Sequence, residues 1–130
     1  MIVPKYSREI PQRMRLEASK CQECEYIAFP PRLICPACQS QSFSDYVLKP
    51  EGKILTYTII HVAADVFATQ TPFAVAIIET SEGARLTAQV VDCKPEEISI
   101  GQKIKLVTRL TQREGHSGIL QYGYKAVLIR

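Results

Sequence analysis

The pattern of apolar and polar positions predicts β-strands over most of the chain after residue 43. Apolar and polar side chains alternate in "ARLTAQVV" (84–91) and in "KIKLVTRL" (103–110), which is the period of a strand with one buried face. The last segment, "GILQYGYKAVLIR" (118–130), also alternates, and Gly123 within it predicts a bulge. The residues predicted to share the apolar face of each segment are Leu86, Ala88, Val90, Ile104, Leu106, Leu110, Tyr122, Tyr124 and Leu128.

Two further segments, "KILTYTIIHVA" (53–63) and "PFAVAIIE" (72–79), are rich in apolar residues on both faces. Continuous apolar runs of this length predict strands that are covered on both faces, by other elements of the chain or by a partner. Turn residues separate the predicted strands at "KPEG" (49–52), "TSEG" (80–83) and "REGHSG" (113–118).

A helical segment is expected at one place among the strands, in "DCKPEEISIG" (92–101). Pro95 suits the first position of a helix, the two glutamates after it suit the positive N-terminal end, and Gly101 suits the exit. About five strands with a short helical link after the third predict an OB-type barrel, and a small β-sandwich is the main alternative. The third strand is expected to begin near Ala84.

The N-terminal segment is polar and basic, and it contains two prolines. It predicts an arm with a short helix around Tyr6–Ile10, whose extension Pro11 limits. Such an arm suits either an acidic partner surface or a solvated position. The fold class is therefore mainly β. The predicted domains are a basic arm (1–18), a cysteine-containing segment (19–42) and a barrel domain (43–130).

Four of the five cysteines lie in two identical pairs, Cys21-x2-Cys24 and Cys35-x2-Cys38, with ten residues between the pairs. Two such turns supply four thiolates, which is a ligand set that Zn²⁺ prefers in a closed tetrahedral site. The spacing predicts a rubredoxin-like zinc ribbon. Its metal is expected to be structural, because a closed shell leaves no position for water and a segment this short lacks its own core. Mononuclear iron, which would colour the protein, is the alternative.

The composition is ordinary for a globular protein and changes this picture little. The chain has 130 residues, of which 46% are hydrophobic and 22% charged, which predicts one domain or one domain with a small appendage. The net charge of +3 is below that of a dedicated nucleic-acid binder. No run of 18 apolar residues occurs and no signal peptide is visible, so we expect a cytoplasmic protein without a membrane partner.

The cysteine pairs enclose the block Phe29-Pro30-Pro31-Arg32, and the second pair reads Cys35-Pro36. With "GKILTYTIIH" (52–61) and "IGQKIKLV" (100–107), these motifs resemble a family of archaeal and bacterial proteins long called a domain of unknown function. Its members carry a rubredoxin-like zinc ribbon before an OB-fold domain and associate with acyl-CoA enzymes. The segment "IPQRMRL" (10–16) is similar to the arm of archaeal members that partner thiolase and hydroxymethylglutaryl-CoA synthase.

The resemblance has two local departures, one near Ala18, where the family usually has glycine, and one at the residue that follows each cysteine pair. The family commonly has glycine there, whereas this chain has Glu25 and Gln39. Non-glycine residues adopt positive φ angles at some cost in free energy, so we expect a small strain or a different turn at these two positions.

The resemblance implies a non-catalytic scaffold subunit that docks thiolase-fold enzymes such as acetoacetyl-CoA thiolase and hydroxymethylglutaryl-CoA synthase. It also implies contacts with coenzyme A. Arg32 suits a bidentate pair with a phosphate, and Phe29 offers a stacking face for the adenine. The alternatives are that Phe29 packs between ribbon and barrel and that Arg32 is a surface residue covering the loop of the ribbon.

Two other classes of function remain open at this level. A single-stranded nucleic-acid-binding module would use exposed aromatic rings for stacking. An independent enzyme would have to use His61 or His116, for example with Cys93 as a nucleophile, although a lone cysteine is usually a small buried apolar residue. The aromatic residues available for stacking on nucleic acid are Tyr57, Phe67, Phe73, Tyr122 and Tyr124.

Overall fold

The computed structural model describes residues 5–113 and 120–129. The turn predicted at 113–118, with His116, therefore lies largely outside the described residues. The helices are α1 (Lys5–Arg8) and α2 (Ile10–Arg15). The strands are β1 (Glu17–Cys21), β2 (Ile27–Ala28), β3 (Phe43–Val47), β4 (Glu51–Ile60), β5 (Phe73–Thr80), β6 (Arg85–Val91), β7 (Lys103–Arg113) and β8 (Leu120–Leu128).

The N-terminal arm contains more helical residues than the sequence predicted. The predicted short helix is present as α1, which ends at Arg8, but a second and unpredicted helix, α2, begins at Ile10 and contains Pro11 in its first turn. The physical reason is that an N–H in the first turn has no intrahelical acceptor, and proline, which lacks that N–H, loses nothing there. The helix ends at Leu16, which adopts a left-handed conformation with φ 55°.

The ribbon contains a three-stranded sheet in the order β2-β1-β3. β1 is antiparallel to both neighbours, and β3 pairs with it along its whole length, from Glu17↔Val47 to Cys21↔Phe43. The strands that form the barrel begin later, at Glu51. The predicted start of the barrel domain at residue 43 stays a prediction. β3, which begins there, is hydrogen-bonded to β1 of the ribbon and not to a barrel strand.

The remaining five strands close into a barrel in the order β4-β5-β6-β8-β7. β6 and β8 are parallel, and the other neighbours are antiparallel. The short helical link after β6, the third barrel strand, is a 3-10 turn at Pro95–Glu97. Its first turn is capped by the Glu97 carboxylate, which accepts a hydrogen bond from the Lys94 N–H at 2.8 Å. The predicted OB-type barrel and its link are confirmed.

A second helical segment lies between β4 and β5, where none was predicted. Asp65–Gln70 forms a 3-10 helix, so the expectation of one helical link among the strands is wrong. Short 3-10 segments give little periodic signal in a sequence. The ring of Phe67 packs against Phe73, with 6.2 Å between the ring centroids.

The barrel interior is formed by the alternating residues that the sequence indicated, with two exceptions, Leu110 and Tyr122, which pair with each other and are both exposed. Leu86, Ala88, Val90 and Ile104 are buried, but Leu110 is 37% exposed, so its predicted inward position is wrong. The reason lies in the pairing. β7 contacts β4 only over 103–105, and Leu110 lies beyond that contact in the β7–β8 hairpin, opposite Tyr122.

β5 has one buried face, whereas its apolar sequence predicted cover on both. Ala76 and Ile78 are 1% and 0% exposed, but Ile77 between them is 41% exposed. The described part of the chain therefore leaves the outer face of this strand partly open to solvent.

The bulge expected at Gly123 lies instead on the neighbouring strand. Gly123 pairs in register with Arg109, and the register shift occurs between Leu110 and Gln112 on β7. The extra residue is Thr111, whose hydroxyl donates a hydrogen bond to the Gln121 carbonyl at 2.8 Å. A Cβ at Gly123 would lie 3.2 Å from the Thr111 methyl group, so the glycine accommodates the bulge opposite.

Gly52→Ala should destabilise the barrel by about 1–3 kcal/mol, because a Cβ would overpack a rigid site. That atom would lie 2.7 Å from the Glu79 carbonyl oxygen, and a backbone atom cannot move aside cheaply. Urea unfolding measures the change in the free energy of unfolding. The control is Gly123→Ala, whose Cβ would meet side-chain atoms of Thr111 and Arg13 and no backbone atom within 4 Å, and which should cost less. Equal losses for the two variants would contradict the prediction.

Candidate metal centre

Two equivalent backbone turns present the cysteines. In the first, the Glu25 N–H donates to the Cys21 carbonyl at 3.1 Å, and in the second the Gln39 N–H donates to the Cys35 carbonyl at 2.9 Å. Both Glu25 and Gln39 have φ 62°. The strain expected at these two positions is therefore present, since left-handed backbone is unfavourable for a residue with a Cβ.

The turns bring the four predicted ligands into one cluster. The Sγ atoms of Cys21, Cys24, Cys35 and Cys38 all lie within 4.8 Å of one another. The Cys21–Cys38 and Cys24–Cys35 sulfur pairs are each separated by 3.5 Å. A tetrahedral ion with Zn–S bonds of about 2.3 Å would space its sulfurs by about 3.8 Å. The cluster therefore fits one tetrahedrally bound metal ion.

The thiols of the cluster titrate very differently from one another. The backbone N–H of Cys24, against the opposing effect of burial, lowers the pKa of Cys21 to about 6. The backbone N–H of Ser40 also lowers the pKa of Cys38, but the sulfurs of Cys24 and Cys21 outweigh it and raise that pKa to about 12. Four sulfurs this close cannot all be thiolates unless a cation lies among them.

The cluster suits a structural metal. Cys21 and Cys35 are buried, and Cys24 and Cys38 are exposed. Between residues 22 and 42, the buried positions are Ala28 and Cys35 alone. This segment has almost no apolar core, so metal binding would supply the free energy that holds its loops together. Four protein sulfurs would fill the coordination shell and leave no position for a reacting water molecule.

The predicted coenzyme A residues, Phe29 and Arg32, have different surroundings. The ring of Phe29 packs against Tyr124 of β8, with 5.7 Å between centroids and an interplanar angle of 58°. Burial raises the pKa of the Tyr124 hydroxyl. This contact joins the ribbon to the barrel, in agreement with the alternative that Phe29 is a packing residue. The alternation along β8 did not indicate that Tyr124 would be its partner. Arg32 is exposed in the loop between the cysteine pairs.

The aromatic residues considered for nucleic-acid binding are mostly engaged in packing. Tyr57 and Tyr124 pack against the core, and Phe67 and Phe73 contact each other. Tyr122 is 38% exposed. The described residues therefore do not form a row of exposed rings on the barrel.

Cys93 is not part of the cysteine cluster. It is half-buried, packs against the core and lines a cavity of about 180 Å³ with Phe73, Gln89 and Ile98. His61 is exposed and is not among the described residues that line this cavity. The geometry does not support a Cys93–His61 nucleophile.

No helix among residues 5–113 and 120–129 is both long enough and apolar enough to cross a membrane.

Comparison with known proteins agrees with this architecture. Residues 8–44 match the family model described as the rubredoxin-like zinc ribbon domain of ChsH2, and residues 46–109 match the model of the ChsH2 C-terminal OB-fold domain. The chain is 43% identical over 119 residues to a DUF35 domain-containing scaffold protein of Methanocaldococcus jannaschii, covering 91% of this chain and 84% of that protein.

Two further similarities extend the comparison. A probable enoyl-CoA hydratase alpha subunit of Thermomonospora curvata is 30% identical over 98 residues, which is 75% of this chain but 30% of that protein. The solved structure of an Ltp2-ChsH2(DUF35) aldolase superposes with a TM-score of 0.69 at 23% identity, over 95% of this chain and 88% of that one. The chain therefore belongs to the DUF35 family, in which a rubredoxin-like zinc ribbon precedes an OB-fold domain.

Proposed function

We propose that this chain is a cytoplasmic, non-catalytic scaffold subunit that docks acetoacetyl-CoA thiolase and hydroxymethylglutaryl-CoA synthase in one acyl-CoA-metabolising complex. The observation that carries the proposal is the 43% identity, over 91% of the chain, to a protein named as a scaffold. The relative named as a probable enoyl-CoA hydratase alpha subunit supports an acyl-CoA setting.

The architecture supports such a role because it presents two modules that pack against each other. The Phe29–Tyr124 contact joins the ribbon to the barrel, and α2 packs against β8. A rigid two-module subunit can hold two enzymes at a constant distance. Proximity raises the effective concentration of the product of one enzyme at the active site of the next. That matters most for an unfavourable condensation, whose product is scarce in bulk solution.

The metal in this proposal is Zn²⁺, held by Cys21, Cys24, Cys35 and Cys38. Its chemistry is structural, because the complete thiolate shell binds no substrate. Four sulfurs are the donor set that suits zinc, and iron would fit the same geometry. The colour of the purified protein distinguishes the two metals, since a ferric tetrathiolate absorbs visible light and a zinc site does not.

The coenzyme A contacts belong to the same proposal. The Arg32 side chain is exposed and makes no hydrogen bond or ion pair with the described residues, which leaves its guanidinium available to a phosphate. Phe29 is half-buried and already packed against Tyr124, so one ring face at most is left for the adenine.

The test mixes the purified chain with purified acetoacetyl-CoA thiolase and hydroxymethylglutaryl-CoA synthase from the same genome. We expect one complex that contains all three proteins in size-exclusion chromatography with light scattering. The two enzymes without the chain are the control and should not form that complex. Adding coenzyme A should tighten the complex, and Arg32→Gln should reduce that gain. Separate elution of all three proteins would refute the scaffold role.

A further inference from the structure

The loop between the two cysteine pairs carries an apolar surface that the described part of the chain leaves uncovered. Residues 30–34, with the sequence Pro-Pro-Arg-Leu-Ile, are all exposed, and we call them the ribbon tip. Leu33 is 88% exposed and Ile34 is 53% exposed. Isolated apolar residues on a surface need no explanation, but four apolar residues in one five-residue loop form a patch that a partner would cover favourably.

The ribbon tip is fixed at both ends. On one side, Phe29 packs against Tyr124 of the barrel. On the other side, Cys35 is fully buried and its sulfur belongs to the metal cluster. Two consecutive prolines restrict the backbone between these anchors. A loop that is already ordered loses little conformational entropy on binding, so its apolar contacts contribute more fully to affinity.

The charges of the ribbon decide which kind of partner fits. Apart from the cysteines, the ionisable side chains from residue 21 to residue 44 are Glu23, Glu25, Arg32 and Tyr26. Nucleic acids and anionic lipid surfaces are bound by clusters of basic residues, whereas the whole ribbon, residues 17–47, has two basic residues (Lys20 and Arg32) and four acidic ones (Glu17, Glu23, Glu25 and Asp45). A protein pocket with an apolar floor and an anionic group on its rim complements both the aliphatic side chains and the unpaired Arg32.

We propose that the ribbon tip is the surface that docks a thiolase-fold enzyme, with Leu33 and Ile34 entering an apolar pocket of that enzyme. This proposal rests on the proposed function. Buried aliphatic or aromatic anchors at the centre of an interface, with a polar group beside them, carry most of the binding free energy in protein complexes. The ribbon tip supplies two such anchors and one cation in consecutive positions.

The test compares the wild-type chain with the double variant Leu33→Ser/Ile34→Ser. Binding to purified acetoacetyl-CoA thiolase and, separately, to purified hydroxymethylglutaryl-CoA synthase is measured by calorimetry. The double variant should raise the Kd for at least one enzyme by about tenfold or more. The control is Val62→Ser on the loop after β4. Val62 is 92% exposed, close to the 88% of Leu33, and its substitution should leave the Kd unchanged. Metal content and circular dichroism should match the wild type for every variant.

Each outcome separates this proposal from the scaffold role. If the wild type binds an enzyme and the double variant binds equally well, the ribbon tip is not the docking surface, although the scaffold role stands. If the wild type binds neither enzyme, both proposals fall. If the substitutions change only self-association, vesicle binding or single-stranded DNA binding, the ribbon tip serves a different partner and the proposal is overturned.

Discussion

Cys35→Ser should empty the metal site and unfold the ribbon while the barrel strands stay protected. The Cys35 sulfur is fully buried within the four-sulfur cluster, so its loss opens the shell at a position that water cannot easily fill. The ribbon has almost no apolar core to replace the lost metal–sulfur bonds, and structural zinc contributes roughly 10 kcal/mol or more to folding in comparable small sites. Metal per chain is measured by mass spectrometry, and hydrogen exchange reports protection of residues 17–47.

The matched control for this experiment is Cys93→Ser. Cys93 is half-buried beside the link that follows β6 and lies outside the sulfur cluster. This variant should keep one metal ion per chain and wild-type exchange in the ribbon. A Cys35→Ser protein with full metal content and a protected ribbon would show that the four cysteines do not form the site. The wild-type sample also tests the identity of the metal, since a colourless one-zinc protein is expected.

Ile78→Ala should cost about 2–5 kcal/mol of the free energy of unfolding. Ile78 is 0% exposed in the middle of β5, where it lies opposite Ile54 on β4 and Leu86 on β6. Its truncation leaves a cavity at the centre of a closed barrel, where the neighbouring strands cannot collapse without breaking their hydrogen bonds. Urea unfolding of the metal-loaded protein measures the loss.

The adjacent residue provides the control for β5. Ile77 has the same side chain on the same strand, but it points outward and is 41% exposed. Ile77→Ala should cost less than about 1 kcal/mol, because little apolar surface is removed from a buried site. A larger loss at Ile77 than at Ile78 would mean that β5 is paired one residue out of register, which exchanges its two faces.

The parts of this fold that sequence could predict are those set by local pattern. Alternation placed Leu86, Ala88 and Val90 inside the barrel, and they are buried. The start of the helical link after β6 was predictable because Pro95 marks it, whereas the exit expected at Gly101 is wrong: the helix ends at Glu97, and Gly101 lies in a separate turn with φ 85°. Each of these signals depends on residues within a few positions of one another, so a single sequence contains them in full.

The parts that could not be predicted depend on which strands become neighbours. Leu110 follows the same alternation as Leu106, yet it is exposed because β7 no longer pairs with β4 at that position. The position of the bulge depends on how β7 and β8 align, and Gly123 signals only that space is tight. Periodicity describes one strand, whereas burial depends on what covers it.

The metal centre divides in the same way. The identity of the four cysteines followed from their spacing, because each pair needs only one tight turn. Phe29 followed as one alternative, a packing residue between ribbon and barrel, but its partner Tyr124 did not, since the two lie in separate parts of the chain and meet only in the folded protein. The exposed Leu33 and Ile34 were visible as apolar residues, but no pattern indicated that the loop would leave them uncovered.

The packing of α2 against β8 bears on how the chain assembles during synthesis. The ribbon sheet pairs residues between 17 and 47, so it has all of its partners once residue 47 has left the ribosome. Helix α2 can complete its packing only after β8 has been synthesised. The barrel also closes through β8. A nascent chain would therefore capture its metal early, and β8 would have to be synthesised before the barrel could form behind the ribbon.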